Sequence, residues 1–310
     1  MLDRMTMKAR IDAAMIPVIV SRKSLLRCQR GGSVYWQTSA YGKFDAMFIT
    51  IEGGELDVKM SLHKHWAKAV DGRLDNSGVF TMRDAEDALL MTIDELCLSP
   101  TQTRVTYYEV GVNLQMQYDP LEYIRRTTGC VGKEMFIDAN YEKDRQRTTA
   151  KTRNMRKVHK IYDKTFEASE KGHDVAANTL RCETIYRHQN VLLSMLFDKQ
   201  WQRDTMQRFA DDWQHLTFER MLTGRGVKES QLSHARELLR LGREEWLRLG
   251  REQWRAGLIT KKQWETKRNF ARSWPDMMER FRMEPSELET EYRNKLHTAM
   301  ASCLAAQEKE

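Results

Sequence analysis

The sequence predicts an α+β protein: a mainly antiparallel sheet with flanking helices up to about Asn190, followed by a C-terminal helical region. Three observations carry this reading. Gly53-Gly54 separates two alternating apolar runs, Met47 to Ile51 and Glu55 to Met60, the signature of a tight hairpin. A helical pattern then stands between this hairpin and a long β-branched and aromatic run, as expected where helices flank a sheet. Beyond Asn190 the apolar residues recur at helical spacing almost without interruption.

Taken in order, Ile16-Pro17-Val18-Ile19-Val20 reads as a first strand, with Gly31-Gly32 as punctuation before the hairpin. Ser61 to Trp66 closes the second hairpin strand, and in a strand His63 and His65 would share a face as a candidate metal pair. Lys64 between them disfavours a cation, and the same residues also suit a polar strand end that meets phosphate or water. From Thr81 to Cys97 the spacing of Ala85, Ala88, Leu89, Ile93 and Leu96 predicts a packing helix, stopped at Ser99-Pro100. Val105 to Gln117 predicts a long strand, and Glu109 inside it is costly unless paired, hydrogen-bonded, metal-bound or turned to solvent. Ile161-Tyr162 continues a short strand and Phe166-Glu167-Ala168 begins a helix, so Tyr162 is expected at an edge.

After Asn190, Trp201, Phe209, Trp213, Leu216, Phe218 and Met221 are candidate buried positions. Leu239 to Trp246 is repeated almost letter for letter as Leu247 to Trp254, a local duplication expected within an amphipathic helix; its eight-residue period is not a heptad. The expected division is residues 1–190 and residues 191–310.

The chain has 51 Lys+Arg against 44 Asp+Glu, a net +7 that suits a polyanionic partner. The five cysteines are scattered, with no Cys-x-x-Cys pair, which points to a reducing cytoplasm. No apolar run approaches the roughly 20 residues of a membrane span, and the short stretch Ala13 to Val20 lacks a convincing cleavage site after it. The reading is a soluble, unexported protein.

The chemistry concentrates between Lys157 and Glu183. A phenol with a pKa of about 10 is a poor nucleophile until a cation stabilises its phenolate. On a strand, Tyr162 and Lys164 would share a face while Asp163 points away. Glu167 and Glu183 are candidate ligands for a divalent ion that polarises a phosphate. Upstream, Arg145 to Lys164 holds eight Lys or Arg residues against the single acid Asp163, a stretch suited to tracking a DNA backbone.

In order, Ser61-x-x-Lys64, a strand carrying Glu109, Tyr162-x-Lys164-x-x-Glu167 and Arg181-x-Glu183 resemble the filamentous-phage gene II type (II/X family) of replication initiation proteins. The pattern is also similar to related phage and plasmid rolling-circle initiators, and it covers about half the chain. Cys182 stands where relatives commonly have Phe, Glu109 where many have Asp, and His63 and His65 are not shared by the filamentous-phage members. The resemblance implies a metal-dependent nickase and strand-joining transferase. Tyr162 would be the nucleophile, assisted by Lys164, leaving a 5′-phosphotyrosine and a free 3′-hydroxyl. Glu109, Glu167 and Glu183 would hold Mg²⁺ or Mn²⁺. Ser61, Lys64, Arg153, Arg156, Lys157 and Lys160 would contact origin DNA, with host polymerase and helicase as further partners. The alternative is a non-catalytic DNA-binding or scaffolding protein in which Tyr162 is structural and the helical tail meets partners. The two diverge on geometry: a nickase needs the Tyr162 hydroxyl, Glu109 and Glu183 to converge.

Overall fold

A computed structural model describes residues 1–39, 46–74, 76, 78, 80–137, 145–150, 152, 154–219, 221–224 and 226–308. The chain forms two compact units, Met1–Phe218 with Glu291–Glu310, and Glu219–Thr290.

The larger unit begins with β1 (Leu2–Arg10), α1 (Ile16–Arg22), β2 (Leu26–Arg30) and β3 (Ser33–Gln37). The hairpin β4 (Met47–Glu52) and β5 (Glu55–Ser61) follows, then α2 (Leu62–Asp71), α3 (Met82–Glu95) and β6 (Arg104–Gln115). Next come α4 (Pro120–Arg126), β7 (Thr127–Cys130), β8 (Lys133–Glu134), β9 (Phe136–Ile137) and β10 (Gln146–Thr148). β11 (Lys157–Asp163), α5 (Lys164–Ser169), β12 (Thr179–Leu192), α6 (Lys199–Gln214) and β13 (Leu216–Phe218) complete it, apart from the end of the last helix. Among the described residues ten strands form one antiparallel sheet in the order β2-β3-β4-β5-β1-β6-β12-β11-β10-β9. The fold is thus α+β, as the sequence predicts.

The hairpin forms where expected. Met47, Ile49 and Ile51 on β4 alternate with outward residues and meet Leu56, Val58 and Met60 of β5, all buried. Thr81 opens α3 with a reciprocal cap to Asp84. On one face of β12, Cys182 meets Tyr292, and Thr184 accepts from the Trp213 indole of α6, so that face is covered. Successive strand residues alternate, which leaves Arg181 and Glu183 on the opposite face.

Four expectations are corrected. Ile16–Arg22 is helical, because Pro17 in its first turn has φ preset for a helix and needs no amide partner there. Ser61 ends β5 but its hydroxyl accepts the Lys64 amide, so the following residues turn into α2. The boundary lies after Phe218 and not at Asn190: β12 continues to Leu192, and Met206, Phe209, Ala210 and Trp213 of α6 are buried within the larger unit. Composition changes at Asn190, but the apolar surface remains committed to the same core. Finally, β11 is paired on both sides, by β10 and β12, so Tyr162 does not occupy a sheet edge.

The smaller unit contains β14 (Met221–Gly224), α7 (Glu229–Leu241), α8 (Arg243–Arg255), α9 (Lys261–Met277) and β15 (Phe281–Glu284), the two strands pairing antiparallel. The helix α10 (Glu287–Glu308) follows. The core here is Leu222, Ala235, Leu238, Trp246, Phe270, Ala271 and Trp274. The duplicated segment is not one helix. Gly242 has φ +78 and separates α7 from α8, whereas its repeat Gly250 is buried inside α8, where a Cβ would lie 2.9 Å from the Trp264 ring. One glycine supplies a backbone turn and the other a close approach. Among the described residues no helix is long and apolar enough to cross a membrane.

Candidate active site

Four neighbouring strands build the site. On β11, Tyr162 lies opposite Arg181 and Lys160 opposite Glu183 of β12. On β6, Gly111 lies opposite Glu183, and Glu109 opposite Ile185, so Glu109 and Glu183 are diagonal neighbours on one face. β1 adds Asp3. These residues line a cavity of about 490 Å³ that includes Tyr162, Glu109, Glu183, Lys160, Asp3 and Glu167. The Tyr162 hydroxyl, Glu109 and Glu183 therefore do converge.

The charges are tightly paired. Tyr162 donates to Glu183 Oε1 at 2.9 Å, and Arg181 Nε donates to the same oxygen at 2.6 Å. Glu183 Oε2 lies 2.6 Å from Lys160 Nζ, which also sits 4.4 Å above the Tyr162 ring. Arg181 Nη2 reaches Asp3 Oδ2 at 2.7 Å, and its Nη1 reaches Asn113 at 3.0 Å. Ser61 completes the shell, donating to Asp3 Oδ1 at 2.9 Å.

Burial opposes the charge on Glu183, but Lys160 and Arg181 outweigh it and hold this carboxyl well below its ordinary range. Asp3 is lowered in the same way, burial being overcome by Arg181. Glu109 goes the other way: burial, and then the nearby Glu183 charge, raise it. The Tyr162 phenol is pushed well above 10 by burial and by Glu183. Burial lowers Lys164 to about 8, with a further contribution from Arg181.

The opposite shifts of the two glutamates predict opposite mutant behaviour. Glu109 keeps its proton to higher pH in the folded chain than in the unfolded one, so its contribution to stability declines as pH rises beyond the ordinary carboxylate range. Glu109→Gln should melt at or above wild type at pH 7, with the difference closing in acid. Glu183, depressed, stabilises above that range and loses its contribution as pH falls, so Glu183→Gln should lower the melting temperature at pH 7. Thermal melts of both variants at pH 4 and pH 7 check the signs; two variants shifting in the same direction would contradict the charge arrangement.

Gly111 is the floor of this arrangement. A Cβ there would meet Glu183 Cγ at 3.0 Å, Arg181 Nη2 at 3.1 Å and the Cys182 carbonyl at 3.2 Å. Gly111→Ala is therefore expected to cost about 1–3 kcal/mol, measured by urea denaturation, and to displace both side chains.

The remaining sequence-predicted residues are placed as follows. Lys164 does not share a strand face with Tyr162; Asp163 caps α5 through the Phe166 amide, making Lys164 the first helical residue. Its buried ammonium donates to Glu167 at 2.7 Å and to Asn76 at 3.0 Å. Ser61 is buried and used as a helix cap and as the donor to Asp3, which leaves it no exposed surface for DNA. Lys64 lies in the first turn of α2. His63 and His65, two apart on that helix, point to different sides; His63 stacks on Phe80 at 4.4 Å and His65 faces Glu95 at 3.7 Å.

Much of the basic stretch is consumed internally. Arg145 pairs with Asp163, Arg147 donates to the Thr127 and Arg125 carbonyls, Lys157 pairs with Asp212 and Lys160 with Glu183. Arg156 is exposed, and Arg153 lies outside the described residues. The sequence reading missed Asp3, Asn76 and Gly111. An acid within the alternating Leu2 to Met7 run is the same signal that flagged Glu109, and it could have marked Asp3.

The donors do not fit the implied divalent metal in this arrangement. Among the described residues no group of three His, Cys, Asp or Glu is placed to hold an ion. Glu167 is engaged by Lys164 and Lys171, and Lys160 stands where an ion between Glu109 and Glu183 would compete with it.

Among solved structures, the chain is similar to a rolling circle replication initiator protein from Geobacillus stearothermophilus. The TM-score is 0.40 at 10% identity, over 74% of this chain and 88% of that one. No protein-family profile matches the chain. No curated protein matches it either. At this level of likeness the side chains of the cavity carry the functional reading.

Proposed function

We propose that the protein is a nicking and joining enzyme that initiates rolling-circle DNA replication, with Tyr162 as its nucleophile. The observation that supports this is the meeting of Tyr162, Glu183, Glu109 and Lys160 in one cavity, with Arg181 bonded to Glu183, in the order of motifs shared with gene II type initiators. Tyr162 Oη attacks the phosphorus as its proton leaves along the hydrogen bond to Glu183, a carboxylate freed to accept it when the incoming phosphate draws Lys160 and Arg181 away. The P–O3′ bond breaks as the Tyr–O–P bond forms, giving a 5′-phosphotyrosine. Lys160 and Arg181 supply the positive charge that a buried phenolate and the transferring phosphoryl group require. The departing 3′-oxygen takes its proton from water, while the buried Lys164 holds Glu167 and Asn76 in the cavity wall. Attack by a 3′-hydroxyl reverses the steps and joins the strand.

The free 3′-hydroxyl would serve a host polymerase in the bacterial cytoplasm, with a host helicase opening the duplex. The second reading, a non-catalytic DNA-binding protein, draws on the 5% exposure of Tyr162, which also suits a structural tyrosine. Supercoiled DNA bearing the cognate origin, incubated with Mg²⁺, Mn²⁺ or chelator, separates them. Nicked circles and protein-linked DNA on a denaturing gel are expected. DNA that is bound but never nicked in any of these conditions would favour the second reading, and the chelator lane reports whether a divalent ion is needed.

A further inference from the structure

The duplicated segment sends its two tryptophans to different environments. Trp246 is 1% exposed, in the core of the smaller unit, whereas its repeat Trp254 is 38% exposed near the end of α8. On that helix Arg251, Trp254 and Arg255 stand at i, i+3 and i+4, and so form one stripe. The chain then turns at Gly257, with φ +73, and presents Leu258 at 75% exposure before α9 opens with the exposed Lys261 and Lys262.

The charge around this turn is one-sided. No acid occurs from Gln253 to Trp264, and the two copies of the repeated octet differ only at their seventh position, where Glu245 is replaced by Gln253. Elsewhere in the unit three cations are tied to acids, Arg248 to Glu245 and Glu252, Arg236 to Glu229 and Lys267 to Glu237. Among the described residues no ion pair involves Arg251, Arg255, Lys261 or Lys262.

We infer that the α8–α9 turn binds single-stranded DNA, with Trp254 stacking on an unpaired base and Arg251, Arg255, Lys261 and Lys262 meeting the flanking phosphates. An exposed indole between unpaired cations matches both parts of that ligand, the π-face of a base and the charged backbone. A membrane surface fits less well, since interfacial helices bury a long apolar face and here only Trp254 and Leu258 are offered. A duplex would hide the base face that Trp254 needs. This contact lies outside the Tyr162 chemistry and does not depend on it.

The test uses the full chain carrying Tyr162→Phe, so that no covalent link contributes and failure of the nicking reading leaves the result unaffected. Fluorescence anisotropy with labelled oligo-dT, and with a duplex of equal length, is measured at several salt concentrations. Trp254→Ala is expected to bind oligo-dT about tenfold more weakly, the loss of one aromatic–base stack, while Trp254→Phe retains most of the affinity. Replacing Arg255, Lys261 and Lys262 together by Gln should lower the slope of log affinity against log salt by about two. Unchanged oligo-dT affinity in both Trp254→Ala and the triple variant overturns the inference. So does an equal loss on the duplex, or a loss confined to phosphatidylserine-containing vesicles.

Discussion

Protein-linked DNA should vanish entirely in a Tyr162→Phe chain. The substitution removes one oxygen and keeps the ring in its place under Lys160, so the sheet is undisturbed. The hydrogen bond to Glu183 is lost, at about 1.5–3 kcal/mol for a bond to a charged group, and the variant should therefore fold with a lowered melting temperature. A covalent mechanism has no substitute for the missing phenolate. By sequence, Tyr186, three residues past Glu183, and Tyr107 and Tyr108, beside Glu109, compete for the role, and the structure separates them. Tyr186 stacks on Tyr108 at 4.6 Å on the opposite face of the sheet, among the residues packed beneath α6. Tyr107 is on the same side but donates to Glu109 and, unlike Tyr162, does not line the cavity. Labelled single-stranded origin DNA run on a denaturing gel decides the matter. A linked band persisting in Tyr162→Phe, or disappearing only in Tyr186→Phe, would remove Tyr162 from the mechanism.

The largest loss of stability is expected from Arg181→Ala. The guanidinium bonds Asp3, Asn113 and Glu183 from a site 5% exposed, and its removal leaves two carboxylates buried without their shared cation. Breaking a buried pair from one side costs about 3–5 kcal/mol, to be read from urea denaturation at pH 7. The loss should shrink in acid. Asp3 and Glu183 are held below the ordinary carboxylate range, so the stability they contribute is present above it and disappears as pH falls through their folded values. A gap between wild type and variant that stays constant from pH 7 to pH 4 would show that Arg181 acts by packing alone. Arg181→Lys should recover only part of the loss, because one ammonium cannot reproduce a planar three-way fork.

These effects also show what the sequence could and could not disclose. Local signals were sufficient where one segment decides its own conformation: Gly53-Gly54 made the hairpin and Thr81 with Asp84 made a helix start. They failed where a single cap or a proline overrides an apolar run, as at Ser61 and Pro17. At the site, the residue types were legible and the pairings were not. Glu109 was conspicuous as a carboxylate in a strand, but that Glu183 would lie diagonal to it follows from a register between segments more than 70 residues apart. The same holds for the basic stretch, whose Lys157 and Lys160 are spent on acids brought in by other elements.

The strand order carries a consequence for how the chemistry comes into being. β1, made first, is closed on one side by β5 and on the other by β6, and β6 in turn waits for β12. Asp3 and Arg181, 178 positions apart, must meet before Glu183 is fixed. Contacts of such sequence separation form slowly, after most of the chain's entropy has been surrendered. A nascent chain that has not yet delivered Thr179–Leu192 thus carries the tyrosine with neither of its β12 partners, and the nicking proposed for Tyr162 should arise only with the completed sheet.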